Sequence, residues 1–221
     1  MLIPMPIIDE KTKSDLKGIF SKEMHGEVKI WLFTSKNKTI CEYCDAVIEL
    51  VDGLSATDDR IKVFKYDIEE HEKEAKIMGV ENVPAILLHG AKAHNIYYYG
   101  IPTGYEFSSL IQDMIDVSNG TSRLSSSTKN ALKEINEKVD IKVFVTPTCP
   151  YCPQAVRMAH QMALENSKIT ASMIEATEFM ELSSKYGVMG VPKIVINDKI
   201  SFEGALPEQS FLEYVKDAAS K

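Results

Sequence analysis

The sequence predicts two tandem α/β domains, each a mixed central sheet flanked by helices. Three observations predict it. First, all four cysteines fall in two C-x-x-C pairs, Cys41–Cys44 and Cys149–Cys152. Second, one offset of 108 residues carries Cys41 onto Cys149, Cys44 onto Cys152, Gly79-Val80 onto Gly187-Val188 and Val83-Pro84 onto Val191-Pro192. Third, each pair follows an apolar strand-like run (28–33 and 141–145) and precedes a helix-like stretch (45–50 and 154–164). A repeat of this length is far beyond a solenoid unit and suits a whole small domain. The domains are expected at 1–120 and 121–221. The boundary falls near Gly120, where residues 118–127 turn to serine, asparagine and glycine. So short a joint implies domains that touch.

In chain order, residues 10–24 read as an amphipathic helix with Leu16, Ile19 and Phe20 on one face, ended at Gly26. A strand over 28–33 follows. The loop 34–40 is longer than its counterpart, because the strands are offset by 113 residues (Lys29 to Lys142) and the cysteines by 108. Residues 61–66 read as a strand, and Asp67 as the cap of a helix over 69–78, whose acidic run 69–74 is a solvated face. A strand pair, 84–88 and 96–99, turns at Gly90, and a helix over 105–117 closes the half. The second half repeats the order: helix 127–138, strand 141–145, helix 154–164, strand 169–174 and helix 177–186. The hairpin 192–196 and 200–202 turns at Asn197-Asp198, and a last helix spans 207–218 with Pro207 in its first turn. Each half is α-β-α-β-α-β-β-α, a βαβ unit followed by a helix and a hairpin.

Composition narrows the function. An apolar share of 44% and a charged share of 26% belong to an ordinary globular chain. No run of 18 apolar residues exists, so no membrane helix is expected. The start, with Pro4, Pro6 and early acids, lacks the basic-then-apolar order of a secretory leader. A net charge of −7 argues against nucleic acid as a partner. Cysteines confined to two pairs are unlike a disulfide-stapled secreted domain, and the cytoplasm is the expected compartment.

The order strand, C-x-x-C, helix points to thiol chemistry. The first cysteine lies at a helix N-terminus, where unpaired N–H groups and the macrodipole favour its thiolate. The second, about a turn later, attacks the resulting mixed disulfide and releases the partner. Structural zinc is the competing use of two such pairs. Zinc ribbons separate them by roughly 15 to 20 residues, whereas Cys44 and Cys149 are 105 apart. The five histidines show no metal-binding spacing, and there is no phosphate loop, dinucleotide fingerprint or serine-triad signature.

Each half resembles a thioredoxin or glutaredoxin domain. Cys149-Pro150-Tyr151-Cys152 is similar to the glutaredoxin tetrapeptide, and Gly187 to Pro192 and Gly79 to Pro84 resemble the segment before that superfamily's cis-proline. Two such domains with both C-x-x-C pairs intact look like the protein disulfide oxidoreductases of thermophilic archaea and bacteria, related to protein disulfide isomerase. The resemblance implies catalytic Cys41, Cys44, Cys149 and Cys152. It implies cis bonds at Val83-Pro84 and Val191-Pro192, whose backbone pairs with an extended client segment. It also implies protein thiols and disulfides as substrates, no cofactor beyond the redox-active disulfides, and recycling by a thioredoxin reductase. Tyr43 and Tyr151 occupy matching slots and serve either as substrate-contacting rings or as rim packing. Trp31 and the run Tyr97 to Tyr99 read as structural, and Gly100 and Gly204 as close approaches to the prolines.

Thioredoxin-type domains also carry a buried carboxylate on the central strand. The matching positions here are Ile30 and Val143, so the proton acceptor is not visible in the sequence. Glu42 and Asp45 flank the first pair and should raise its thiol pKa, whereas Arg157 lies a little over a turn beyond Cys152. Two alternatives stand beside the main reading. One is a glutathione-dependent glutaredoxin, disfavoured because 193–204 lacks paired glycines followed by an acid. The other is an electron-delivery module of a peroxide-reducing system.

Overall fold

The structure, a computed structural model, describes residues 7–220; the segment 1–6, whose prolines were weighed against a secretory leader, lies outside the described residues. The first half runs α1 (Glu10–Glu23), β1 (Val28–Thr34), α2 (Cys44–Ser55), β2 (Ile61–Asp67), α3 (Glu72–Ile77), β3 (Ala85–His89), β4 (Ile96–Tyr99) and α4 (Glu106–Asn119). The second runs α5 (Ser126–Lys133), β5 (Val139–Val145), α6 (Cys152–Glu165), β6 (Ile169–Glu175), α7 (Met180–Lys185), β7 (Lys193–Ile196), β8 (Ile200–Glu203) and α8 (Glu208–Ala219). Among the described residues no helix is long and apolar enough to cross a membrane.

The expected elements are all present, with displaced ends. α3 begins later than the acidic run suggested, because Asp67 Oδ1 accepts the Glu69 and Glu70 N–H groups and holds 68–70 as a turn. α5 stops at Lys133, short of 138, since Asn166 donates to the Leu132 and Ile135 carbonyls and diverts the chain. α7 is likewise shorter than 177–186: Glu175 accepts from the Glu178 N–H and the Thr177 hydroxyl, so the helix starts only at Met180. Pro207 caps α8 from outside its first turn. Asn197 and Asp198 both take positive φ, 50° and 57°, as a two-residue hairpin turn demands.

The strands form one mixed eight-stranded sheet in the order β2-β1-β3-β4-β6-β5-β7-β8. The halves join through parallel pairing of β4 with β6, Ile96 opposite Ala171 to Tyr99 opposite Ile174. Strand alternation then divides the core. Val28, Ile30 and Leu32, and Ile141, Val143 and Val145, face one large core covered by α1, α2, α4, α5, α6 and α8. Phe33 and Phe144 face smaller clusters on the opposite side, with Ala75 of α3 in one and Leu182 of α7 against the other. Trp31 lies on this second face, half-buried and stacked 4.6 Å from Phe64, so it packs on the sheet and not in the main core.

A buried charge network pins the halves. Asp113 of α4 meets the Tyr98 hydroxyl, the Arg157 guanidinium and His160 Nδ1 of α6; Arg157 also pairs with Asp116. His160 is fully buried, and burial together with the adjacent Arg157 charge pushes its pKa down, so the neutral ring donates through Nδ1. The joint is packed as well: Glu165 of α6 accepts from the Ser122 N–H and hydroxyl, and Leu124 is buried.

Candidate active sites

Both cysteine pairs are disulfides, Cys41–Cys44 and Cys149–Cys152, each with Cα atoms 5.5 Å apart. Each sits where a central strand ends and a helix begins; Cys149 and Cys152 pack into the large core, and Cys41 and Cys44 into the smaller cluster of Phe33 and Ala75. α2 and α6 start at the second cysteine, with Tyr43 and Tyr151 as their caps. The helix N-terminus therefore belongs to Cys44 and Cys152, and the first cysteines lie in the turn before it. Backbone bonds hold that turn: Cys41 N–H to Asn37 O (3.0 Å) and Cys149 N–H to Thr146 O (3.1 Å). All four cysteines are nearly buried, and Cys149, 8% exposed, is the most open.

Val83-Pro84 and Val191-Pro192 are cis. The Val191 carbonyl lies 3.6 Å from Cys149 Sγ, which puts it against the more exposed sulfur of the pair. Val83 and Pro84 line one cavity of about 330 Å³ with Cys41. Behind each proline stands a glycine at the expected place. Gly100 N–H donates to Pro84 O (3.0 Å) and Gly204 N–H to Pro192 O (2.8 Å), with φ of 90° and 86°, where a side chain is strained. Tyr43 and Tyr151 are 42% and 68% exposed, open enough to meet a bound chain. The structure thus gathers Cys41, Tyr43, Cys44, Val83 and Pro84 into one cluster and Cys149, Tyr151, Cys152, Val191 and Pro192 into another. It does not gather Arg157, whose charge is taken up by Asp113 and Asp116. Asp45 is also engaged, by Lys38 at 2.5 Å, so among the described residues Glu42 remains the acid of the first tetrapeptide region without an ion pair.

Two carboxylates escaped the sequence reading, and each comes from the opposite half. Glu106 opens α4, directly after Tyr105, whose N–H donates to Pro147 O (3.1 Å) in the loop carrying Cys149. It is 1% exposed, and burial, offset in part by the neighbouring Ser109 hydroxyl, pushes its pKa up to about 7. Glu178, from the turn between β6 and α7, lines the cavity of Cys41, Val83 and Pro84. Burial, offset in part by the Ile101 N–H and reinforced by Glu175 and Glu42, pushes it up to about 7 as well. Neither lies on the strand where a buried acid was expected, and no motif shared by the two positions marks them in the sequence.

The thioredoxin domain family matches residues 139–216. Over 96% of this chain and 94% of the other, the fold superposes on a protein disulfide oxidoreductase from Aeropyrum pernix K1 with 33% identity and a TM-score of 0.90. It also superposes on an N-terminal domain of the alkyl hydroperoxide reductase of Enterococcus faecalis, with 23% identity, 94% and 99% coverage and a TM-score of 0.85, a likeness of fold. In sequence the chain is 29% identical over 124 residues to an alkyl hydroperoxide reductase of Staphylococcus aureus, covering 56% of this chain and 24% of that protein. The chain thus spans about a quarter of the length of that curated relative.

Proposed function

From the premise that this chain belongs to the family of protein disulfide oxidoreductases built of two thioredoxin-like domains, we propose that it exchanges thiols and disulfides with protein clients at two sites. The observation that carries this is the recurrence of one arrangement: a C-x-x-C disulfide at a helix start, with a Val-Pro backbone against it. The units are 1–120 and 121–221. Cys41 and Cys149 attack; Cys44 and Cys152 resolve. Val83-Pro84 and Val191-Pro192 hold the client backbone, and Tyr43 and Tyr151 flank it. The redox equivalent is the cysteine pair itself, with no further cofactor. A thioredoxin reductase recycles the pairs, and the cytoplasm is the compartment.

At the second site Glu106 is the proton acceptor for Cys152. A carboxyl near neutrality is matched to taking a thiol proton and returning it, and Tyr105, the residue before Glu106, is bonded to the Pro147 carbonyl in the loop that carries Cys149. The test is turnover of insulin with dithiothreitol by the chain and by variants keeping one pair each. Both single-pair variants are expected to turn over, and loss of all turnover in the parent chain would remove the reading. A second reading, electron delivery to a peroxide-reducing enzyme, has the identity with the Staphylococcus aureus alkyl hydroperoxide reductase in its favour. A chain inert towards insulin yet rapid with a peroxidase disulfide would favour it.

A further inference from the structure

The first cysteine pair lies in a cavity that the first half does not complete by itself. Its walls are Ile40 to Tyr43, Ile68 and Glu81 to Pro84 from one half, and Thr177 to Met180 from the other. Within it Glu178 is held at several points. Its N–H donates to Glu175 Oε2 (2.6 Å), and its Oε1 accepts the Ile101 N–H (2.7 Å). Ile101 follows Gly100, which is itself bonded to Pro84 O, so the carboxylate is tied to the cis-proline turn of the first site. A β-carbon at Gly100 would stand 2.9 Å from Glu178 Oε1, and glycine leaves that approach open. Oε2 is buried and has no hydrogen-bond partner among the described residues. An unpartnered buried oxygen costs about 1–3 kcal/mol or more and calls for a use.

We propose that Glu178 is the proton carrier of the first site, lent by the second half to the client side of the Cys41–Cys44 pair. This rests on the reading of that pair as redox-active. In reduction the Cys41 thiolate bonds to one client sulfur, the client S–S bond breaks, and its electron pair leaves on the second client sulfur. Neutral Glu178 gives its proton to that sulfur and becomes a carboxylate. Cys44, losing its proton to solvent, then attacks Cys41 Sγ. The first client sulfur leaves with the bond's electron pair and takes a proton from water. In the reverse direction the Glu178 carboxylate takes the proton of the incoming client thiol. Cys44 is not in this cavity's wall, which sets Glu178 apart from an acceptor for the resolving cysteine. The groups facing it are acidic: Glu42 and Glu81 across the cavity, Glu175 beneath, and Glu181 with Lys185 along the adjoining groove. Tyr43 completes the ionisable wall. This surround favours the neutral acid, and burial with Glu175 and Glu42 keeps its pKa near 7, between a carboxylic acid and a thiol.

The test uses the full chain with Cys149→Ser and Cys152→Ser, reduced and mixed with two disulfides. Bis(2-hydroxyethyl) disulfide expels a weakly acidic thiol that needs a proton. The aryl disulfide 5,5′-dithiobis(2-nitrobenzoate) expels a thiolate stable without one. Glu178→Gln should slow the first reaction about tenfold or more and change the second by less than about twofold. Any altered nucleophilicity of Cys41 acts on both probes, so the ratio isolates proton delivery. Glu178→Asp, which keeps an acid, should recover part of the loss. Equal slowing of both probes, or no slowing of the alkyl one, overturns the proposal. A parent chain inert to both probes overturns the redox reading of the first pair and the proposal with it.

Discussion

The two cysteine sites share a scaffold and differ in what surrounds it. At the second, the Val191 carbonyl stands 3.6 Å from Cys149 Sγ, Cys149 is the most exposed cysteine, and Tyr151 is 68% exposed. At the first, Cys41 is 2% exposed and opens onto a cavity walled in part by the other half and lined by Glu42, Glu81 and Glu178. Cys44 Sγ accepts the Ser35 N–H at 3.2 Å. The longer loop before Cys41 makes much of this difference: Ser35 Oγ donates to Glu69, Lys36 pairs with Glu70 and Lys38 with Asp45. The repeat keeps the cysteines and the Val-Pro step and leaves the electrostatics different.

The largest effects should come from the sulfurs. Cys149→Ser and Cys41→Ser should each abolish exchange at their own site and spare the other, read by insulin reduction in single-pair backgrounds. Cys152→Ser should trap long-lived mixed disulfides with clients on non-reducing gels; normal turnover with nothing trapped would refute its resolving role.

Next comes the network that ties the halves. Arg157→Leu leaves Asp113 without its guanidinium in a buried setting and Asp116 with Arg123 alone, and should cost about 3–5 kcal/mol of stability. Because sheet and core run through both halves, denaturant unfolding should remain one transition. Two transitions would show the sites to be independent after all.

A smaller effect, with a sign, belongs to Glu106. Its pKa is raised from 4.5 to about 7 by burial. Between those values the unfolded chain has lost the proton and the native chain holds it, so stability falls as pH rises through the window. Glu106→Gln should therefore gain up to about 3 kcal/mol at about pH 8 and nothing below about pH 4. The same variant should slow exchange at the second site only. Thermal melts across pH and single-pair assays measure the two consequences.

The smallest expected difference is in thiol acidity. Cys41 should titrate about half to one unit above Cys149, given solvent-screened acids at its rim. Asp45, paired with Lys38, contributes little to this, and Glu42→Gln should remove much of it. A lower thiol pKa stabilises the reduced form, so Cys149–Cys152 should be the more oxidising pair. Iodoacetamide alkylation across pH checks this, and Cys41 reacting at the lower pH would reverse the order.

The repeat made the fold legible. An offset shared by cysteines, glycines and Val-Pro steps located both sites, and period-two apolar runs located the strands. The carboxylates were hidden because Glu178 lines the first cavity, and the start of Glu106's helix meets the Cys149 loop, from the opposite half, a juxtaposition made by the β4–β6 pairing and by no local pattern. Arg157 and Asp45 sit beside the cysteines in sequence, but their charges are engaged elsewhere: Arg157 across the halves by Asp113 and Asp116, and Asp45 by Lys38 in the loop before Cys41. His160, with no motif around it, is intelligible only once α4 and α6 are packed.

The β4–β6 pairing has a consequence for self-association. It joins the last strand of one copy to the outer parallel strand of the next, a head-to-tail contact that does not close on itself. The free flanks of the sheet, β8 and β2, are the counterparts of those two joined strands. The geometry that fuses the halves would equally string whole molecules into a ribbon. Against that, β2 displays exposed Lys62 and Lys65, and β8 is four residues long and ends on Glu203. Charged and short edges are how sheets refuse further strands.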